Sequence, residues 1–69
     1  MTSQPETGWV IEHGESQVSA PFYWTGMTVI TFARDHMEAV RFARADDAFM
    51  VARGILKDTP TRVCEHSWG

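Results

Sequence analysis

The sequence predicts a small α+β domain: an antiparallel sheet of three to four strands with one helix packed on one face. Three observations predict it. Short runs rich in aromatic and β-branched residues occur at Trp9–His13, Met27–Phe32 and Thr61–His66, the composition of strands. Apolar residues recur at helical spacing between Phe42 and Leu56. The chain has 69 residues, and a chain this short buries only about 60% of the surface its unfolded form exposes, enough for one core.

The elements follow in order. Residues 1–7, "MTSQPET", are polar with a proline and predict a frayed tail, leaving residues 8–69 as a single domain. "WVIEH" is the first strand, and "GESQVSAP" is a loop closed by Pro21. "FYW" (Phe22–Trp24) is a second extended segment, followed by a turn at Thr25 and Gly26. "MTVITF" (Met27–Phe32) has the strongest strand pattern in the chain. Its alternation puts Thr28, Ile30 and Phe32 on one face and Val29 and Thr31 on the other.

Phe-Ala-Arg then occurs twice, ten residues apart, at Phe32 and Phe42. Helical geometry at about 100° per residue decides whether one helix carries both. With Phe42 at the origin, Ala45, Phe49, Ala52 and Leu56 fall on one side, widened by Ala48 and Ile55. Asp46, Asp47, Gly54 and Lys57 fall on the other. Extended back to Asp35, the same wheel buries Glu38 and Arg41 and exposes Ala39 and Val40. The repeat is therefore not one helix. The first copy ends a strand, and the second leads into a helix. Between them "DHMEAV" is a turn and a short extended or irregular piece, with Asp35 able to bond its own backbone. Asp46 and Asp47 suit the first helical turn, where the helix dipole favours carboxylates. "KDTP" is expected to end the helix, and "TRVCEH" (Thr61–His66) to join the sheet beside the first strand. The predicted order is β-β-β-α-β.

Charge is unevenly distributed. Glu6, Glu12 and Glu15 are the only charged side chains before Arg34, while the second half balances six bases against six acids. An acidic first half opposes direct binding to a nucleic-acid backbone and suits a basic surface on another protein, unless the three glutamates are merely solvated. Arg34, Arg41 and Arg44 are interleaved with Asp35, Glu38, Asp46 and Asp47, as on a solvated face. One cysteine excludes an internal disulfide. No apolar run approaches 18 residues and no leader is recognisable, so the expected location is the cytoplasm, away from membranes.

Nothing here forms a strong catalytic or ligand motif. His13, His36, Cys64 and His66 are the soft metal ligands. Cys64 and His66 share a strand face, but no CxxC or HxxxH accompanies them, so neither metal nor cofactor is expected. Cys64, Glu65 and His66 are adjacent, yet neighbours on a strand point to opposite faces, so Glu65 is poorly placed to orient His66. The chain is read as a non-enzyme.

Aromatics carry more information. Trp9, Phe22, Phe32, Phe42 and Phe49 can fill the core. Phe22, Tyr23 and Trp24 cannot all do so, because alternate strand residues face opposite ways. Either Tyr23, or Phe22 with Trp24, is expected on the helix-free face. Trp68 either lies exposed or covers the sheet edge. Exposed Tyr and Trp are favoured interface anchors.

Taken together, "WVIEHGE", "YWTG", "AVRFARADDA" and "RVCEH" resemble the very small proteins common in bacteriophage and prophage genomes. The matching positions are Trp9, Tyr23, Trp24, Ala39, Phe42, Ala48, Val63 and Glu65, spanning residues 9 to 66. The chain departs from that pattern at Phe32, where a tryptophan is usual, and at the helix start, where no Ser or Thr caps. The resemblance implies a fold of this type and no catalytic residue. Phage proteins of this size with an assigned role are frequently anti-CRISPR proteins, which occupy a surface of a host defence complex. On that view Glu12 and Glu15 supply steering towards a basic, nucleic-acid-handling surface. Tyr23, Trp24 and Trp68 supply contact area. Two other readings remain open: a homodimeric structural or adaptor protein, and a small nucleic-acid-binding regulator using Arg34, Arg41, Arg44 and Arg53.

Overall fold

The computed structural model of the chain describes residues 7–67. Its elements are β1 (Thr7–His13), β2 (Tyr23–Trp24), β3 (Phe32–Ala33), a 3₁₀ turn (His36–Glu38), α1 (Ala45–Arg53) and β4 (Thr61–Ser67). The four strands form one antiparallel sheet in the order β3-β2-β1-β4. The α+β class, the β-β-β-α-β order and the helix are as the sequence predicts. Thr7, assigned above to the tail, is the first residue of β1 and pairs with Ser67.

Along β1 every residue from Thr7 to His13 has a partner on β4, with Ile11 opposite Val63 and Glu12 opposite Arg62. The strands alternate their side chains between two faces. Ile11 and Val63 point to the helix, where Ile11, Trp24, Ala48 and Leu56 make the buried centre. Trp9, Phe32, Val40, Phe42, Val51 and Ala52 pack around it. Burying Ile11 and Leu56 completely is worth about 1.5–3 kcal/mol each, which for so short a chain is a large share of its stability.

Two expectations about elements are corrected. Met27–Phe32, the strongest strand pattern, is strand only at Phe32; the rest is the tip of the β2–β3 hairpin. Gly26 turns the backbone there with φ of 83°, and a Cβ at that position would lie 2.6 Å from Val40 Cγ2. Beyond it the loop folds on itself: Thr31 N–H donates to Thr28 O, and Thr25 N–H to Thr31 O. The Trp24 indole Nε1 also donates to Thr28 O at 2.9 Å. A carbonyl taken by a core tryptophan is lost to a strand ladder. Propensity alone therefore does not keep Met27–Thr31 extended when no neighbouring strand is present to pair it.

The helix is also shorter than its apolar stripe. Phe42 exchanges both backbone hydrogen bonds with Trp9 at 2.8 Å, so it belongs to the sheet. With Phe42 removed, the inward face is centred on Ala48, flanked by Val51 and Ala52. Phe49, expected in the core, is turned outward, and Phe22 is exposed as well. At the start, Arg44 occupies the N-cap without a side-chain cap bond, and Asp46 and Asp47 lie in the first turn. At the end, Gly54 closes the helix well before Pro60, its N–H reaching both Met50 O and Val51 O. Leu56 is carried into the core by the turn that follows. The linker between the two Phe-Ala-Arg copies is irregular as predicted, with Asp35 Oδ1 accepting from Met37 N–H at 2.9 Å.

Candidate functional site

Two regions gather the side chains singled out in the sequence. The first is the helix-free face of the sheet. Even-numbered residues of β1 point there, and so do their β4 partners Arg62, Cys64 and His66. Glu12 is 8% exposed, and its Oε1 accepts from Arg62 Nε at 2.7 Å. The same guanidinium donates to Ser16 O at 3.0 Å and Ser16 Oγ at 3.3 Å, tying the turn after β1 to β4. Tyr23 faces Glu12 across the β1–β2 pair, its ring 5.5 Å from that of His66. His36, from the 3₁₀ turn, lies 5.0 Å from His66.

This face is packed closely enough to shift its titrating groups. Burial raises the Tyr23 phenol pKa, helped by the charge of Glu12. Burial also raises Cys64, as do the charge of Glu12 and a hydrogen bond to it, against the opposing pull of Arg62. His66 is lowered, first by burial and then by the neighbouring His36. A thiol held protonated is the reverse of what a nucleophilic cysteine needs. Among the described residues, no three His, Cys, Asp or Glu side chains are grouped to hold a metal ion.

The second region is the hairpin tip. Met27 and Ile30 are 81% and 86% exposed, and Val29 is exposed beside them. Below the tip a groove of about 320 Å³ is lined by His13, Glu15, Ser16, Phe22, Ile30 and Phe32. The Arg34 guanidinium stacks over Phe22 at 5.1 Å, and the His13 ring meets Phe32 edge-on at 4.9 Å. Glu15 is exposed on the rim, its N–H donating to His13 Nδ1 at 3.1 Å.

The predicted contact residues therefore separate. Glu15 is exposed as expected. Glu12 is not, because its charge is spent on Arg62. Tyr23 does point to the helix-free face while Trp24 enters the helix-side core, but both are only 7% exposed, so neither offers the open contact area expected of it. Trp68 and Glu6 lie outside the described residues. The apolar tip, with Met27, Val29 and Ile30, was missed as a contact surface because its pattern read as a strand; Gly26 followed by polar threonines at 28 and 31 was the available signal for a loop. Three of the four arginines proposed for nucleic acid are each engaged with a different partner. Arg34 sits on Phe22, Arg44 pairs with Asp46 at 3.6 Å, and Arg53 lies over Phe49 at the opposite sheet edge. Among the described residues no helix is long and apolar enough to cross a membrane. Compared with protein-family models, curated proteins and solved structures, the chain matches none of them, so its functional reading rests on its own residues.

Proposed function

We propose that this chain is a non-enzymatic protein-binding module that acts by occupying a surface of its partner, in the manner of the phage-encoded inhibitors its sequence resembles. The partner class in this reading is a host defence complex with a basic, nucleic-acid-handling surface. What supports it is the hairpin tip: three large apolar side chains, Met27, Val29 and Ile30, held out in solvent above a groove rimmed by Glu15. Exposed apolar groups cost a small domain solubility, and such a cluster beside the Glu15 carboxylate fits a partner that is apolar at its centre and carries a basic group to meet Glu15.

The working face moves accordingly from the Tyr23–Trp24 strand to the loop that follows it. The test uses a purified CRISPR effector complex and the full chain in a binding titration. Ile30→Asp is expected to weaken binding about 100-fold and Glu15→Lys about ten-fold, the latter mainly at low salt. Full-strength binding by both variants would remove the tip from the reading. A chain that binds no effector and sediments as a dimer at micromolar concentration would replace inhibition with self-assembly.

A further inference from the structure

A different surface lies at the other edge of the sheet. In an antiparallel sheet the backbone groups of successive residues bond to alternate sides. On β1, Trp9 exchanges bonds with Phe42, and His13 N–H donates to Phe22 O. Odd-numbered residues of β1 therefore bond towards β2. Even-numbered ones, Gly8, Val10 and Glu12, bond towards β4, opposite His66, Cys64 and Arg62. It follows that Thr61, Val63 and Glu65 turn their N–H and C=O groups to the outer side of β4. Among the described residues no strand pairs there, because β4 ends the order β3-β2-β1-β4.

Beside this open edge runs a groove of about 610 Å³. One wall is Thr61 and Val63; the other is Phe49, Ala52, Arg53 and Lys57, from α1 and the turn after it. Phe49 is the aromatic residue that the helix turns away from the core, so it makes that wall apolar, with the Arg53 guanidinium over its ring. Arg53 donates through Nε to Phe49 O, leaving its Nη groups without a hydrogen bond among the described residues. Arg62 also touches the groove, but Glu12 holds its guanidinium on the other face of the sheet. Among the described residues no carboxylate lines this groove, although acids outnumber bases nine to six in the chain.

We propose that the α1–β4 groove binds an extended acidic segment of a partner protein, which adds to the sheet as a fifth strand beside β4. Its backbone pairs with Thr61, Val63 and Glu65. The side chains on its α1 side lay their methylenes against Phe49 and present their carboxylates to Arg53 and Lys57, and the intervening ones face away from the helix. Glu65, two residues or about 7 Å beyond Val63, repels acid at its own end of the strand and so fixes the direction of the charge along the segment. The site is independent of the hairpin tip and stands whether or not that surface binds an effector.

The test is fluorescence anisotropy of the full chain with two labelled peptides of equal length, one alternating Glu and Val, one alternating Lys and Val. The acidic peptide is expected to bind at least about ten-fold more tightly. Arg53→Glu with Lys57→Glu, both exposed, should cancel that preference. An acidic peptide N-methylated at alternate amides keeps its charge but cannot pair as a strand, and it should not bind. On saturation, hydrogen exchange at the outward amides of Thr61, Val63 and Glu65 should slow about ten-fold or more. Equal binding of both peptides, binding by the methylated peptide, or no protection of these amides would overturn the proposal. So would slow exchange there in the chain alone at concentrations where it sediments as a dimer, since the occupant would then be a second copy.

Discussion

Charge reversal at Glu12 should damage the fold, whereas the same change at Glu15 should leave it intact. In the Glu12–Arg62 pair the side chains are 10% and 27% exposed and 2.7 Å apart. Breaking a buried pair by removing one partner costs about 3–5 kcal/mol. The exposed part of Arg62 places this case near the lower end. Lysine at 12 also sets a second cation against a guanidinium still held by Ser16. A loss of about 3 kcal/mol is expected, against a total of roughly 3.5–10 kcal/mol for a chain of 69 residues. Urea titration followed by tryptophan fluorescence measures it, and Tm should fall by roughly 12–24 °C. Glu15→Lys, on the exposed rim, should stay within about 0.5 kcal/mol. Glu12→Gln combined with Arg62→Met should recover part of the loss, because no unpaired charge then remains. If Glu12→Lys matched the parent protein within about 0.5 kcal/mol, the pair would contribute nothing to stability, and Glu12 would be restored as a surface charge able to steer a partner.

Leu56→Ala should cost about 2–5 kcal/mol, because Leu56 is fully buried in the core, and denaturant titration should show a chain close to unfolding. Gly26→Ala should cost about 1–3 kcal/mol through its positive φ, with further disturbance where the new methyl meets Val40. The same titration reads it, and an unchanged midpoint would show that the turn is free to rearrange. His66 adds a pH dependence. Its folded pKa is depressed below that of the unfolded chain, so the unfolded state binds more protons as pH falls. The stability linked to it is fully present above the unfolded value of 6.5 and is lost as pH falls through the lower folded value. Unfolding midpoints measured across that window should decline with acidity, and His66→Asn should flatten the decline.

What the sequence made legible and what it hid divide along physical lines. β1 was readable from its aromatic and β-branched content and β4 from its alternation, and the two pair over their whole length. The break between the two Phe-Ala-Arg copies was readable because helical phase would have buried Glu38 and Arg41. Met27–Thr31 misled because strand propensity measures how well a residue suits a pleated surface, and it carries no information about whether a neighbouring strand exists. Phe42 misled for a related reason: its spacing to Ala45 and Phe49 fits a helix, but its backbone bonds with Trp9 came from a residue 33 positions away. The loss of Glu12 as a surface charge depended on register. Only after Glu12 is known to lie opposite Arg62 does a strand of one charge become a neutral pair, and no local pattern contains that. Of the two alternatives the alternation allowed, Tyr23 is the one on the helix-free face, yet that face is closed by Glu12, His66 and the 3₁₀ turn rather than left open.

The pairing of β1 with β4 also constrains how the chain acquires its structure. Glu12 and Arg62 are 50 positions apart, so their contact closes a loop comprising most of the polypeptide. Closing a loop of that length costs about 3.5 kcal/mol in chain entropy beyond the constant term. The hairpin of β2 and β3 contributes only two residues from each strand and cannot offset that cost alone. Few local contacts are available to form early, so the search for the native pairing should be slow for a domain of this size. During synthesis, β1 remains without its long partner until Ser67 has been added. A ribosome-bound chain stopped before β4 should accordingly be as sensitive to protease as an unfolded one, and protection should arise in a single step once that strand is free.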